Sequence, residues 1–175
     1  MEFYELIKTR RSVRKFADKE IEDDKLERVL NAARIAPSGK NAQAWKFLVI
    51  KDQKLKDEIV KAAKGQKFIG QADSVIVCCV NEEETYQGHG NYMTSFAVDG
   101  AIALDHLILA AHHEGLGTCW IGAFMEDQVK ELLEIPDPYR VVAMTPLGYP
   151  ATQPKDRGRK ELDEIVSYDG WKWQD

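Results

Sequence analysis

Residues 94–114 read Thr-Ser-Phe-Ala-Val-Asp-Gly-Ala-Ile-Ala-Leu-Asp-His-Leu-Ile-Leu-Ala-Ala-His-His-Glu, the longest helix candidate in the chain and apolar on nearly every face. A helix of that kind has to be covered all round. In a chain of 175 residues this points to a helix running through the centre of a dimer, because soluble monomers rarely expose a large apolar patch. It is not a membrane span: Asp99, Asp105 and His106 interrupt it, and no stretch approaches the ~18 unbroken apolar residues a span needs. Gly115 and Gly117 end it.

Upstream, Glu2 to Lys8 suits a short helix. Asp23 or Asp24 can cap a second, in which Leu26, Val29, Leu30 and Ala33 recur at helical spacing until Pro37. Trp45 to Ile50 and Ser74 to Val80 are short, β-rich apolar runs and read as buried strands, with a helix over Leu55 to Lys64 between them. Glu82 to Tyr92 is a polar, glycine-bearing loop of the kind that can act as a lid. Downstream, Thr118 to Ile121 and Val141 to Leu147 read as strands around a helix at Asp127 to Leu133. There is no repeat, linker or low-complexity tract, so the expectation is one domain over residues 1–175. Helices and strands mix without a βαβ rhythm, which favours an α+β fold.

Composition narrows the function classes. A net charge of −5 argues against a general affinity for nucleic acid or anionic membrane. No apolar run precedes the basic residues of the N-terminus, so no signal peptide is read there. Three cysteines, Cys78, Cys79 and Cys119, make a disulfide framework an unsuitable reading and point to the cytoplasm.

Three stretches can carry chemistry. Residues 9–15, Thr-Arg-Arg-Ser-Val-Arg-Lys, form the densest basic cluster of an acidic chain. Guanidinium forks and a serine hydroxyl suit a phosphate, and a solvated basic face is the alternative. A second basic group, Arg157 and Arg159, suggests that both clusters converge on one anion. Residues 36–45, Ala-Pro-Ser-Gly-Lys-Asn-Ala-Gln-Ala-Trp, are a connector by their turn residues, yet they gather Ser38, Asn41 and Gln43, able to bond a heteroaromatic ring edge. Residues 115–122, Gly-Leu-Gly-Thr-Cys-Trp-Ile-Gly, serve as a helix stop and let backbone approach something closely at Gly122. Their spacing is not the dinucleotide fingerprint.

In this order and with these spacings, the three stretches resemble the nitroreductase family of FMN enzymes, together with Pro-Leu-Gly-Tyr-Pro at 146–150 and Arg-Gly-Arg-Lys-Glu-Leu-Asp-Glu-Ile-Val at 157–166. The resemblance implies a central mixed or antiparallel sheet flanked by helices, in an intertwined homodimer with flavin between the subunits. It implies that Arg10, Arg11, Ser12 and Arg14 hold the FMN phosphate and pyrimidine side, with Arg159 and Arg157 closing on the phosphate. Pro37, Ser38 and Asn41 would reach the same flavin from the partner. Gly122 and Ala123 would offer backbone donors near the reactive ring nitrogen, and Gln66 would meet the pyrimidine edge. The reaction it implies is ping-pong hydride transfer from NAD(P)H through FMN to a nitroaromatic, quinone or similar acceptor, with no catalytic side chain. An ene-reductase or dehalogenase on the same scaffold, or a flavin-storage protein, are the alternatives. His112 and His113 suit a helix C-terminus rather than a metal site. Cys119 suits packing, and Trp171 and Trp173 suit anchoring against a neighbouring subunit.

Overall fold

The eight residues of Ser74–Asn81 (β2) are all buried. Val, Ile and Cys at successive positions send apolar side chains to both faces, which suits a strand covered on both sides. The computed structural model describes residues 1–173, and in it β2 pairs antiparallel with Trp45–Ile50 (β1) on one side and Tyr139–Gly148 (β4) on the other. The short Gly117–Thr118 (β3) pairs antiparallel with β4, giving the order β1-β2-β4-β3.

Helices cover both faces. On one, Ile76, Cys78, Val80 and Leu147 pack with Leu104 and Leu107 of Phe96–His113 (α4) and Val29 and Ala33 of Asp23–Arg34 (α2). On the other, Val75, Val77, Cys79 and Met144 pack with Ile59 of Gln53–Ala62 (α3) and Val129 of Glu126–Leu132 (α5). Neighbouring Cys78 and Cys79 therefore lie in different cores, as strand alternation requires, and all three cysteines are free thiols. The expected α+β fold, an antiparallel sheet flanked by helices, is what the chain adopts. Among the described residues no helix is long and apolar enough to cross a membrane.

Element ends differ from the sequence reading where side chains intervene. Neither Asp23 nor Asp24 caps α2; both lie in its first turn, behind Glu22, where they favour the positive pole of the helix. Asp52 accepts from the Leu55 amide at 2.9 Å and starts α3 at Gln53. The strand read over Thr118–Ile121 breaks after Thr118: the Cys119 amide donates to the Thr145 hydroxyl at 3.1 Å, and pairing resumes with Ile121 opposite Met144. The N-terminal helix (α1) is Phe3–Thr9.

The chain covers α4 on one side only. Gly100, Ala103, Leu104, Leu107, Ile108 and Ala111 are buried, whereas Val98, Ala101, Ile102 and Leu109 are half-buried and Asp105 is exposed. These positions recur at three- and four-residue spacing and form a second stripe along the helix. The buried stripe approaches the sheet closely at Gly100, where a Cβ would lie 2.8 Å from Val142 Cγ2 and 2.9 Å from Val80 Cγ2. Valine side chains have little freedom to turn aside. We expect Gly100→Ala to lose about 1–3 kcal/mol from overpacking, measured as a lower urea midpoint; an unchanged midpoint would show that α4 slides on the sheet without cost.

Candidate functional site

Val13, buried with Phe16 and Ala72, holds the basic N-terminal segment along β3. Its amide donates to Thr118 O at 2.8 Å, and Ser12 bridges Thr118 in parallel. Ser12, Arg10 and Arg14 therefore gather around Cys119. Burial pushes the Cys119 thiol up, against the opposing pull of Arg14, a Ser12 hydrogen bond and Arg10. The thiol stays protonated, in keeping with packing rather than nucleophilic work. Among the described residues neither Arg10 nor Arg14 forms an ion pair. Arg14 lies over Phe68, 6.0 Å from its ring centre.

The same surface continues to residues 120–123. Gln66 donates its amide to Ala63 O at 3.0 Å and Ala123 O at 3.2 Å, so it braces Ala123. Gly122 and Ala123 are exposed, and a Cβ at Gly122 would meet nothing nearer than Trp120 Nε1 at 3.7 Å. Trp120, 42% exposed, lies in the open at the middle of this surface. Sequence reasoning left it out although it sits inside a quoted motif.

Pro37, Ser38 and Asn41 lie elsewhere, at the start of α4. The Gly39 amide donates to Asp99 Oδ1 at 3.0 Å, and the Ser95 hydroxyl donates to Asp99 Oδ2 at 2.7 Å. Ser95 and Tyr86 exchange two further bonds, which tie the 82–95 loop to the same point. Asp99 is only 3% exposed. It is the residue that holds this loop, and its one signal in the sequence is a carboxylate inside an apolar run. Lys40, Asn41 and Gln43 all have positive φ, at 52°, 56° and 50°, a concentration of backbone strain that only a well-tethered loop sustains.

The third group is on the C-terminal stretch. Arg11, Gly158 and Arg159 line one cavity of about 370 Å³, and Arg157 does not. Arg11 is engaged within the chain: its guanidinium donates to Asp156 Oδ2 at 2.6 Å, to Arg10 O at 3.0 Å and to Lys8 O. At the end of α4, His112 Nε2 lies 3.0 Å from the Thr9 hydroxyl. Burial, then Arg10 and Arg11, hold its pKa below the usual imidazole value, so a neutral ring rather than a charge facing the helix terminus occupies this place.

Within one chain the Ser38 loop does not meet the basic edge. Asp99 holds the Ser38 loop near the first turn of α4, and His112, beside Arg10, is in its last turn. At ~1.5 Å per residue the two ends are roughly 20 Å apart.

Fold and site together define an α+β scaffold with a basic edge at one end of its central helix and a strained polar loop at the other. A model described as the nitroreductase family matches residues 7–95 and 62–149, and this chain belongs to that family. A protein of Methanothermobacter thermautotrophicus named for NADH dehydrogenase or NAD(P)H nitroreductase activity is 33% identical over 170 residues, covering 94% of this chain and 86% of the relative. An FMN reductase [NAD(P)H] of Bacillus subtilis is 27% identical, covering 94% and 72%. The crystal structure of a nitroreductase family protein from Clostridium difficile 630 superposes with a TM-score of 0.90 at 32% identity, covering 98% of this chain and all of the other.

Asp99→Ala leaves the Gly39 amide and the Ser95 hydroxyl without their acceptor, a loss of about 1–3 kcal/mol for a buried group. The Gly39 amide should then exchange with solvent faster than in the parent, and in Asp99→Asn, which keeps an acceptor oxygen, much less so. Equal Gly39 exchange in all three proteins would remove Asp99 as the anchor of the loop.

Proposed function

We propose that this chain is an NAD(P)H-dependent oxidoreductase that binds FMN between the two subunits of a homodimer and passes a hydride equivalent to nitroaromatic, quinone or similar acceptors. The observation that carries this reading is the separation of the site's halves to opposite ends of α4. A two-fold axis across the half-covered stripe of α4 brings the Ser38–Asn41 loop of one subunit to the Arg10–Arg14 edge of the other. A dimer also covers what one chain leaves open: the stripe itself, Phe3, Tyr4 and Ile7 on α1, and Leu162, Ile165, Val166, Tyr168 and Trp171 on the C-terminal stretch.

The donor set fits the cofactor. Arg10 and Arg14, without carboxylate partners among the described residues, and Arg159 supply charge for a phosphate and for the pyrimidine side. Ser12 adds a hydroxyl on that side. The exposed backbone at Gly122 and Ala123, braced by Gln66, leaves room for a flat ring. Pro37, Ser38 and Asn41 close the ring from the partner. When bound, FMN supplies the hydride chemistry, while the protein positions it and stabilises negative charge. The FMN reductase among the relatives supports this cofactor, and the family supports the reaction class. With one open surface available, NAD(P)H and the acceptor use it in turn.

Purified protein should be yellow, with about one FMN per chain, and Arg14→Ala or Arg159→Ala should bind it roughly tenfold more weakly, the scale of one partly exposed charge-assisted bond. Copurification of FAD, or of no flavin from a flavin-replete preparation, refutes the site. Light scattering should give a dimer at micromolar concentration; a stable holo monomer defeats the composite site. Initial rates against NAD(P)H at several acceptor concentrations should give parallel double-reciprocal lines, and intersecting lines would rule out shared use of one surface.

A further inference from the structure

Arg11 and Asp156 join the two basic clusters, but by a different route from direct contact with an anion. Pairing of β4 ends at Gly148, and the chain then holds to the body through Ala151, whose amide donates to Lys15 O at 2.9 Å. Beyond Ala151, the pair of Arg11 Nη2 with Asp156 Oδ2 at 2.6 Å is the only hydrogen bond among the described residues that ties residues 152–173 to the rest of the chain. Arg11 is itself held. Its side chain is 19% exposed and folds back over the C-terminal end of α1, where it donates to the Lys8 and Arg10 carbonyls. A cation is favoured at that pole of a helix.

Asp156 works in two directions. While Oδ2 accepts from Arg11, Oδ1 accepts from the Gly158 amide at 2.9 Å. That bond closes a turn in which Gly158 takes φ +70°, a conformation glycine adopts without steric cost. The turn sets the direction of the next residue, Arg159, whose guanidinium donates to Gly158 O at 2.6 Å and lines the same cavity as Arg11.

We infer that Arg11 and Asp156 are positioning residues: Arg11 fixes Asp156, and Asp156 shapes the turn at Gly158 that presents Arg159 to the phosphate of FMN. The inference rests on the proposed FMN site and assigns Arg11 a role other than ligand. It makes the C-terminal stretch a phosphate-recognition element whose geometry is set from α1.

The test is titration of the full-length protein, stripped of flavin, with FMN and with riboflavin, which shares the ring and lacks the phosphate. Asp156→Ala and Arg11→Met should each weaken FMN roughly tenfold and leave riboflavin affinity as in the parent. Asp156→Asn keeps an acceptor for Gly158 and should lose less. Combining Asp156→Ala with Arg159→Met should add nothing to Arg159→Met alone, because both remove one contact. Parallel loss of FMN and riboflavin would reduce the pair to general structural support and overturn the inference. An FMN-selective loss in Arg11→Met with none in Asp156→Ala would make Arg11 a direct ligand, which also overturns it. Arg159→Met without an FMN-selective loss would remove the phosphate site itself, whereas a selective Arg159→Met beside a silent Asp156→Ala would overturn only the positioning role.

Discussion

The covering of α4 is the constraint on which the other features depend. Most of its residues are apolar on every side, and only Asp105 and His113 are exposed to water. The sheet supplies one side through Val80, Ala143 and Leu147, with α2 closing around Leu104 and Leu107. The opposite stripe, from Val98 to Leu109, lacks a complete cover among the described residues. The same helix acts as a spacer: the segments that carry polar chemistry attach at its two ends, by Asp99 and by the Thr9–His112 contact. Hydrophobic burial and the separation of these polar segments thus have a single origin.

A carboxylate in such a helix is costly unless its charge is met by hydrogen bonds. Asp99 meets this requirement with the Gly39 amide and the Ser95 hydroxyl, near the positive pole of α4. What it stabilises is a loop of unfavourable backbone, with three non-glycine residues in the left-handed region. Local strain of order 1–3 kcal/mol per residue persists only where the surroundings over-determine it. The network around Asp99, reaching Tyr86 and the 82–95 loop, is that surrounding structure.

Most of the fold was legible because its elements are marked by local patterns. β2 is a continuous apolar run, α2 keeps its spacing to Ala33, and β1 was placed to the residue. The differences fall where a side chain overrides the pattern: Thr145 interrupts the strand after Thr118, and Asp52 starts α3 two residues before Leu55. For the candidate site, motifs single out the segments that carry the proposed contacts. They could not say how a residue within a segment is used, because that depends on partners distant in sequence. Arg11 looks like Arg10 and Arg14 in a basic cluster, and Asp156, 145 residues away, sets it apart. Asp99 likewise reads as an interruption of an apolar run until Gly39, 60 residues earlier, is seen against it.

The placement of the three thiols has a bearing on chemical durability. Cys78, Cys79 and Cys119 are all buried. Burial pushes Cys78 far up, raises Cys79 to about 11, and raises Cys119 despite the nearby arginines. Oxidants attack the thiolate, not the thiol, and only where they can reach it. At neutral pH these side chains are protonated and shielded, so they act as small hydrophobes in the two cores. The fold thus carries cysteine in its sheet without the liability of an exposed, oxidisable thiol.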